Sequence, residues 1–273
     1  MKRIILSCLF LFSIYTLAFA QDSIPAASDS LNLKAESADA KASSDPAVIA
    51  YNEGDFRKAI EILEIQKKEQ LENGLESSQL YYNLGNAYFR VNDLAHARLN
   101  YERALLLNPG DRDTRHNIDY LSTKIEDKIL VADTFFLSIW FTAVQNLFSS
   151  NVWSVIAIVT FLLFMVCLVG FFFSRLIVVK KAAFYIGIVS LIIVILANVF
   201  SFRQKNKIEH RDTAVIMAGS ASIMSSPDIN SKELFILHSG TKVYITKEDR
   251  SWFEIEIDNG NVGWVQREKL EVI

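Results

Sequence analysis

The sequence predicts a multidomain membrane protein in which an α-helical module, a hairpin of two membrane-spanning helices and a small all-β barrel follow one another. Two apolar segments without Asp, Glu, Lys or Arg, Val152–Phe173 and Ala182–Phe202, predict the hairpin. As helices, both segments are long enough to cross a hydrocarbon core of about 30 Å. Helical periodicity before them and short alternating runs after them predict the two flanking modules.

The amino end carries the features of an export signal. Lys2 and Arg3 precede an apolar run, Ile4–Ala20, which closes on small residues. A basic start, a short apolar middle and small residues before the cleavage point are typical of a secretory signal peptide. We therefore predict a signal over residues 1–20 that is cleaved before Gln21. An uncleaved anchor helix of the same orientation is the alternative.

The connection between the two apolar segments, residues 174–181, is short and basic. Its charged residues are Arg175, Lys180 and Lys181, and it contains no acidic residue. Such a connection returns the chain to the side it came from, and Lys and Arg favour the cytoplasmic side. Together with the export signal, this predicts a cytoplasmic turn, with both soluble modules on the other side of the membrane.

Composition narrows the classes of function. The net charge is −3, and no Lys/Arg cluster interleaved with aromatic residues lies outside the membrane flanks, which argues against a nucleic-acid partner. The two cysteines, Cys8 and Cys167, fall in apolar runs, so we expect no disulfide in the soluble modules. Nucleophile, phosphate-binding and metal-ligand motifs are missing from the sequence. We therefore expect no enzyme activity, cofactor or metal site, unless a partner completes a site.

We predict a flexible linker over residues 21–44. A helical sequence pattern begins at residue 45 and continues to residue 128. Within the helical part, the stretch from 81 to 109 resembles the tetratricopeptide repeat. In such a repeat, small residues let two antiparallel helices approach, aromatic residues fill the space between them, and a proline ends the second helix. The residues that carry the resemblance are Tyr81, Leu84, Gly85, Tyr88, Ala97, Tyr101, Ala104 and Pro109.

A second hairpin of the same kind is predicted upstream. Gly54, Phe56 and Ala59 recur at the spacing of the repeat, but Ala59 precedes Ala97 by 38 positions, which implies an insertion of about four residues around positions 67–77. Residues 111–124 read as a closing helix. Two hairpins and one helix are few, because repeat stacks need about three repeats to bury a continuous core. We therefore expect this module to be only marginally stable alone.

The resemblance also implies where a partner peptide binds, because such repeats hold peptides on the inner faces of their first helices. Each of these positions taken alone also fits a solvated helix surface. Asn83 and Asn86 resemble the carboxylate-clamp variety, but Asp113 and Asn117 replace its basic residues, so we do not expect recognition of a C-terminal carboxylate. The implied positions are Tyr82, Asn83, Asn86, Phe89, Arg90, His116, Asn117 and Tyr120.

Residues 129–150 separate the repeats from the first span. Aromatic and aliphatic residues recur there at helical spacing, and no charge occurs from Thr134 to Asn151. We predict an amphipathic helix that lies in the membrane interface. A third full span, which would move the repeats to the cytoplasm, is the rival interpretation.

After a linker over residues 203–211, seven short runs between residues 212 and 273 predict a small barrel with a tight turn at Asn259-Gly260. The segment resembles the bacterial SH3-like (SH3b) domain. Residues Ser222, Ile223 and Met224 depart from the Asn-Val-Arg that the family usually carries there. Trp252 and Trp264 are expected to be partly in the core, with ligand stacking as the alternative. The positions that carry the resemblance are Gly240, Val243, Trp252, Gly260, Gly263 and Trp264.

The order of these modules resembles the BatE-type proteins of the bacterial aerotolerance (Bat) operon. The resemblance implies an inner-membrane, two-pass protein that works without turnover. Its partners would be von Willebrand A-type Bat proteins and, across the membrane, a MoxR-type ATPase. We therefore expect a periplasm-facing scaffold that contacts protein partners and membrane lipids. An envelope sensor or cell-wall binder, whose barrel grips peptidoglycan, is the alternative.

Overall fold

The computed structural model describes residues 45–129 and 135–273. The predicted signal peptide (1–20) and linker (21–44) lie outside these described residues. Helical repeats, two long apolar helices and an antiparallel sheet follow one another along the chain. The repeats and the sheet fall into one compact unit, and residues 144–206 belong to another.

Five helices form the repeat module: α1 (Pro46–Asn52), α2 (Phe56–Glu72), α3 (Ser78–Arg90), α4 (Leu94–Leu107) and α5 (Arg112–Ser122). Each helix follows a residue whose side chain accepts a hydrogen bond from a backbone N–H of the first turn. Such capping satisfies donors that would otherwise lack partners within the helix. The capping residues are Asp45, Asp55, Ser77, Asp93 and Asp111.

Close packing of α3 on α4 depends on small residues, as the repeat pattern predicts. A Cβ atom added at Gly85 would lie 2.5 Å from Cδ1 of Tyr101, and Ala97 is fully buried. The chain turns between the two helices at Asn92, which adopts a φ of 63°. A left-handed conformation is tolerated by asparagine better than by most residues.

The four-residue insertion lengthens α2 and the loop after it. This helix has 17 residues, whereas α4, its counterpart in the next repeat, has 14. Gly74, with a φ of +68°, then turns the chain back towards α3. The structure thus places the extra residues where the spacing predicts them.

Seven antiparallel strands follow in one sheet: β1 (Thr213–Ile216), β2 (Ser220–Met224), β3 (Glu233–His238), β4 (Lys242–Asp249), β5 (Trp252–Glu256), β6 (Val262–Gln266) and β7 (Leu270–Val272). Their order in the sheet is β3-β2-β6-β5-β4-β1-β7. The predicted turn lies between β5 and β6, where Gly260 adopts a φ of +85°. Ile223, Phe253, Ile255 and Val265 are fully or almost fully buried in the sheet's core.

Two helices, α7 (Ser150–Phe173) and α8 (Ile177–His210), are long and apolar enough to cross a membrane. Only 17% and 28% of the residues in their most apolar windows are buried. Hydroxyl groups join the helices near one end, where Oγ of Ser201 lies 3.1 Å from Oγ of Ser150 and 2.8 Å from Oγ of Ser154.

The second helix is longer than its apolar segment. It begins inside the basic connection and continues through residues that we expected to form a linker, so only residues 174–176 separate the two helices. Lys, Arg and Gln, which are frequent in these added turns, lose little side-chain freedom in a helix. The charges therefore mark the end of the apolar segment but not the end of the helix.

A shorter helix, α6 (Phe136–Gln145), precedes the pair. Its ten residues rise about 15 Å, roughly half of a hydrocarbon core, so α6 is too short to cross a membrane by itself. Phe136 and Trp140 are 66% and 63% exposed, so the helix presents large apolar side chains to its surroundings.

Candidate functional site

Asn86 links the first helices of two successive repeats. Its Oδ1 accepts a hydrogen bond of 2.7 Å from the Tyr101 hydroxyl and one of 3.0 Å from Nδ2 of Asn117. Burial raises the pKa of the Tyr101 hydroxyl, so this group stays protonated and remains a donor. The side chains of α3 and α5 are thereby held side by side.

Aromatic rings extend this contact along the two helices. The Phe89 and Tyr120 ring centroids are 5.7 Å apart. At the end of α3, the Arg90 guanidinium lies 4.4 Å from the centroid of the Phe56 ring and 6.0 Å from that of Tyr51. A cation over the face of an aromatic ring is attracted by the ring's quadrupole. Arg90 is thus oriented although its side chain is exposed.

A small cavity of about 120 Å³ opens between α1, α2 and α3. Asn83 and Asn86 line it together with Tyr51. The Oδ1 of Asn83 accepts a hydrogen bond of 3.1 Å from Nε2 of Gln79, one turn earlier on α3. We call the surface formed by α1, α3, α5, the start of α2 and the turn after α5 the groove. Its residues are Tyr51, Phe56, Asn83, Asn86, Phe89, Arg90, His116, Asn117, Tyr120 and Lys124.

The structure brings most of the sequence-predicted positions together, because Asn83, Asn86, Phe89, Asn117 and Tyr120 all contribute to the contacts or the cavity just described. Tyr82 is half-buried and packs within the module. Its ring lies 6.2 Å from the ring of Tyr101, and it packs against two apolar clusters. His116 is exposed on α5, one turn before Tyr120.

The sequence patterns did not predict a place in the groove for Tyr51, Phe56 and Lys124. The Lys124 ammonium lies 5.0 Å from the centroid of the Tyr120 ring. The repeat period could have identified it, because Lys124 follows Arg90 by the 34 residues of one repeat. Tyr51 precedes Phe89 by 38 residues, which is the same period with the insertion included.

The two tryptophans of the sheet lie on its outer face. Trp252 pairs with Gln266, and Trp264 pairs with Glu254. Because side chains alternate along a strand, both tryptophans point away from the core that Phe253 forms with its neighbours. Both are half-buried, and neither belongs to the core cluster.

Another surface of the repeat module is covered by the chain's own sheet, and we call it the closed face. Leu99 of α4 is 1% exposed and packs with Val215 and Ile273. Arg103 donates hydrogen bonds to the carbonyl oxygen of Val272 (2.7 Å) and to the carboxylate of Glu271 (3.0 Å). The closed face thus also covers the edge strand β7, whose unpaired backbone groups would otherwise be exposed.

Glu102 carries the main buried charge of the closed face. Its carboxylate lies 2.7 Å from Nζ of Lys242 and 2.8 Å from Nε of Arg98. Burial by itself would raise the pKa of Glu102, but the two cations outweigh burial and hold the pKa below its usual value. Removing this carboxylate would leave two cations without their partner.

A second polar contact joins the segment after α5 to the turn between β3 and β4. Asp127 accepts hydrogen bonds from the backbone N–H of His238 (2.7 Å) and from Oγ1 of Thr241 (2.6 Å), and Nδ1 of His238 lies 2.7 Å from its other oxygen. Burial would raise the pKa of Asp127, but these hydrogen bonds hold it below its usual value. The hydrogen bond to Asp127 raises the pKa of the His238 imidazole.

Within the two described ranges, no group of three or more His, Cys, Asp or Glu side chains could hold a metal ion.

The groove and the closed face differ in the chemical groups that they expose. The groove presents amides, aromatic rings and two exposed cations, which are groups that bind a peptide chain.

Comparison with known proteins identifies the repeat. Residues 78–111 match the family model of the tetratricopeptide repeat, and this range contains α3 and α4. No curated protein matches the chain. The chain therefore contains a tetratricopeptide repeat within a larger set of repeat-like helices, which supports a role in protein–protein interaction.

Proposed function

We propose that this chain is a non-enzymatic scaffold, anchored in a bacterial inner membrane, that gathers protein partners in the periplasm. The observation that carries the proposal is the groove, in which successive first helices of a tetratricopeptide repeat module present amides, rings and cations. The two apolar helices supply the anchor. The resemblance to BatE-type proteins suggests von Willebrand A-type Bat proteins as direct partners and a MoxR-type ATPase as an indirect one, in a complex that serves oxygen tolerance.

Co-purification from detergent-solubilised membranes tests the scaffold. The variant N83A/H116A/Y120A changes the groove, and E61A/K68A/E69A changes the exposed surface of α2 as a matched control. We expect a von Willebrand A-type membrane protein to co-purify with the wild type and the control and to be lost from the groove variant. Equal recovery with all three would contradict the proposal.

The orientation is tested separately in spheroplasts. The scaffold places both the repeats and the sheet outside the cytoplasm, so added protease should digest both modules without detergent. Protection of either module until detergent is added would exclude this topology. The exposed apolar side chains of α6 suit contact with membrane lipids on that side.

A second candidate function, cell-wall binding, is favoured by the placement of Trp252 and Trp264 on the outer face of the sheet. Aromatic rings on a surface can stack against sugar or peptide groups. If the SH3-like segment grips peptidoglycan, the detergent-solubilised chain should sediment with purified sacculi and the W252A/W264A variant should not. The scaffold without wall binding predicts no sedimentation for either protein.

A further inference from the structure

We propose that the groove recognises an extended, polyproline-II-like segment of a partner protein in which two carboxylates are three residues apart, one bound by Arg90 and the other by Lys124. This inference rests on the proposed function, because it assigns a chemistry to the same groove. Its basis is two exposed cations, their equivalent places in successive repeats, and amides that lie two turns before each cation.

The two cations are oriented but not neutralised. Arg90 lies over the Phe56 ring and Lys124 lies over the Tyr120 ring. No carboxylate in residues 45–129 or 135–273 forms an ion pair with either of them, whereas Arg98, Arg103 and Lys242 all have such partners. Contact with a ring face leaves N–H groups available to a ligand. Both side chains are therefore prepared to receive an anionic group.

Their places in the repeats set the distance between the ligand's charges. Arg90, the last residue of α3, and Lys124, two residues beyond α5, are one 34-residue period apart. These helices are in side-chain contact through Asn86 and Asn117. Helices in contact have axes roughly 8–10 Å apart. We therefore expect the two carboxylates of the ligand to be separated by a similar distance.

The conformation of the ligand follows from this spacing. A polyproline II segment has about three residues per turn and rises about 3.1 Å per residue, so residues three apart lie on one side, about 9 Å from each other. In a β-strand, side chains on one side are two or four residues apart, about 7 or 13 Å. Only the first arrangement matches the helix spacing.

Two amides lie about two helical turns before the cations, Asn83 before Arg90 and Asn117 before Lys124, where they can contact the continuation of such a backbone. A polyproline II segment forms no internal hydrogen bonds, so its carbonyl and N–H groups need other partners. Asn83 and Asn117 each carry donor and acceptor groups. One group of each is used within the module, by Gln79 and Asn86 respectively. The remaining group of each amide can bind the peptide backbone.

Arg90 and Lys124 should contribute unequally to the affinity for the peptide. Lys124 also lines a polar cavity together with Asp93 and Glu126. These carboxylates offset part of its positive potential. Arg90 lies over two rings, and its planar guanidinium can bind a carboxylate through two hydrogen bonds. We therefore expect Arg90→Gln to weaken binding more than Lys124→Gln does.

Fluorescence anisotropy with labelled synthetic peptides tests the proposal on the full chain in detergent. The probe carries Glu-Pro-Pro-Glu between Gly-Ser flanks. Its controls replace both Glu by Gln, or shorten the spacing to Glu-Pro-Glu. We expect saturable binding of the probe that weakens with added salt, and binding at least tenfold weaker for both controls.

Variants of the protein complete the test. R90Q/K124Q should weaken probe binding by about tenfold or more. K58Q/K68Q, which removes two exposed charges from α2, should bind like the wild type. Equal binding of the neutral peptide, unchanged binding by R90Q/K124Q, or no probe binding by the wild type would each overturn the inference.

The failure of this inference can be told apart from failure of the scaffold. If the probe does not bind but N83A/H116A/Y120A still loses its co-purified partner, the groove binds a partner of different chemistry and only this inference is wrong. If that variant also keeps its partner, the groove is not the binding surface and the proposed function is wrong as well.

Discussion

The closed face and the groove belong to the same repeat module, but the first is covered by the chain's own sheet and the second is exposed. On the closed face, Leu99 is covered and Glu102 and Arg103 are paired with groups of the sheet. In the groove, Tyr120 is 51% exposed, and Arg90 and Lys124 lie over rings and form no ion pair with a carboxylate of the described residues. The same helical module therefore packs one surface against the sheet and leaves the other exposed, where we propose that partners bind.

This difference predicts opposite responses to substitution. Changes on the closed face should lower stability, because they create cavities or leave buried charges without a partner. Changes in the groove should leave stability nearly unchanged and reduce binding. The following experiments test that contrast, from the largest expected effect to the smallest.

Leu99→Ala should have the largest effect. Removing a buried leucine side chain costs about 2–5 kcal/mol, because apolar contact is lost and a cavity remains. The free energy of unfolding of the repeat–sheet unit, measured by denaturant titration in detergent, should fall by this amount. Leu71→Ala is the matched control, because Leu71 is 47% exposed, and it should change the free energy of unfolding by less than about 0.5 kcal/mol. Similar losses for both would refute a closed face.

Glu102→Gln should cost about 2 kcal/mol, in the range for a lost hydrogen bond to a charged group. The reason is that Lys242 and Arg98 would lose their buried partner. The same titration measures this loss, and Glu61→Gln on the exposed surface of α2 serves as control. If the free energy of unfolding is unchanged, the pair does not hold the sheet on the repeats.

The contact between Asp127 and His238 should make a smaller, pH-dependent contribution. Because the pKa of His238 is raised, its contribution to the free energy of unfolding is complete below the ordinary histidine pKa of about 6.5. This contribution is lost as pH rises through the folded-state pKa. Because the pKa of Asp127 is lowered, its contribution to the free energy of unfolding is present above about pH 4. This contribution is lost as pH falls through the folded-state pKa. Together these contributions are greatest between about pH 4 and 6.5.

The pH dependence can be measured with His238→Gln. The gap in unfolding temperature between wild type and variant should be larger at pH 6 than at pH 9, with Glu126, 3.5 Å from the imidazole, adding to the effect. His116→Gln, in the groove, is the matched control and should show a small gap at both pH values. If the difference in unfolding temperature between wild type and His238→Gln widened towards pH 9, the pH-dependent role of the Asp127–His238 contact would be contradicted.

Groove substitutions should have the smallest effect on stability. We expect Arg90→Gln and His116→Ala each to change the free energy of unfolding by less than about 0.5 kcal/mol, because both side chains are exposed. Each should nevertheless weaken partner recovery in co-purification. A loss of stability as large as that of Leu99→Ala would mean that the groove is part of the packed structure.

Local patterns predict the parts of the fold that depend on neighbouring residues. The small residues Gly85 and Ala97, the turn at Asn259-Gly260 and the two apolar helices all follow from spacing or length. The seven strands lie where the alternating runs predict them. The groove positions follow from the repeat period, and the same period could have added Lys124.

Contacts between distant parts of the chain could not be predicted in this way. Glu102 and Lys242 are 140 residues apart, and a charged residue on a helix carries no local sign of the partner it will meet. The outer-face position of the tryptophans depends on strand register, which decides which side of the sheet each residue occupies. The closed face therefore becomes visible only in the folded unit.

Photocrosslinking in intact cells tests the contrast between the two surfaces most directly. A photoreactive phenylalanine derivative would replace His116 in the groove and, in a second protein, Leu106 of α4, which packs at the closed face. We expect adducts of higher mass, containing another protein, from position 116, and crosslinks only within the chain from position 106. Adducts with another protein from position 106, or none from position 116, would contradict it.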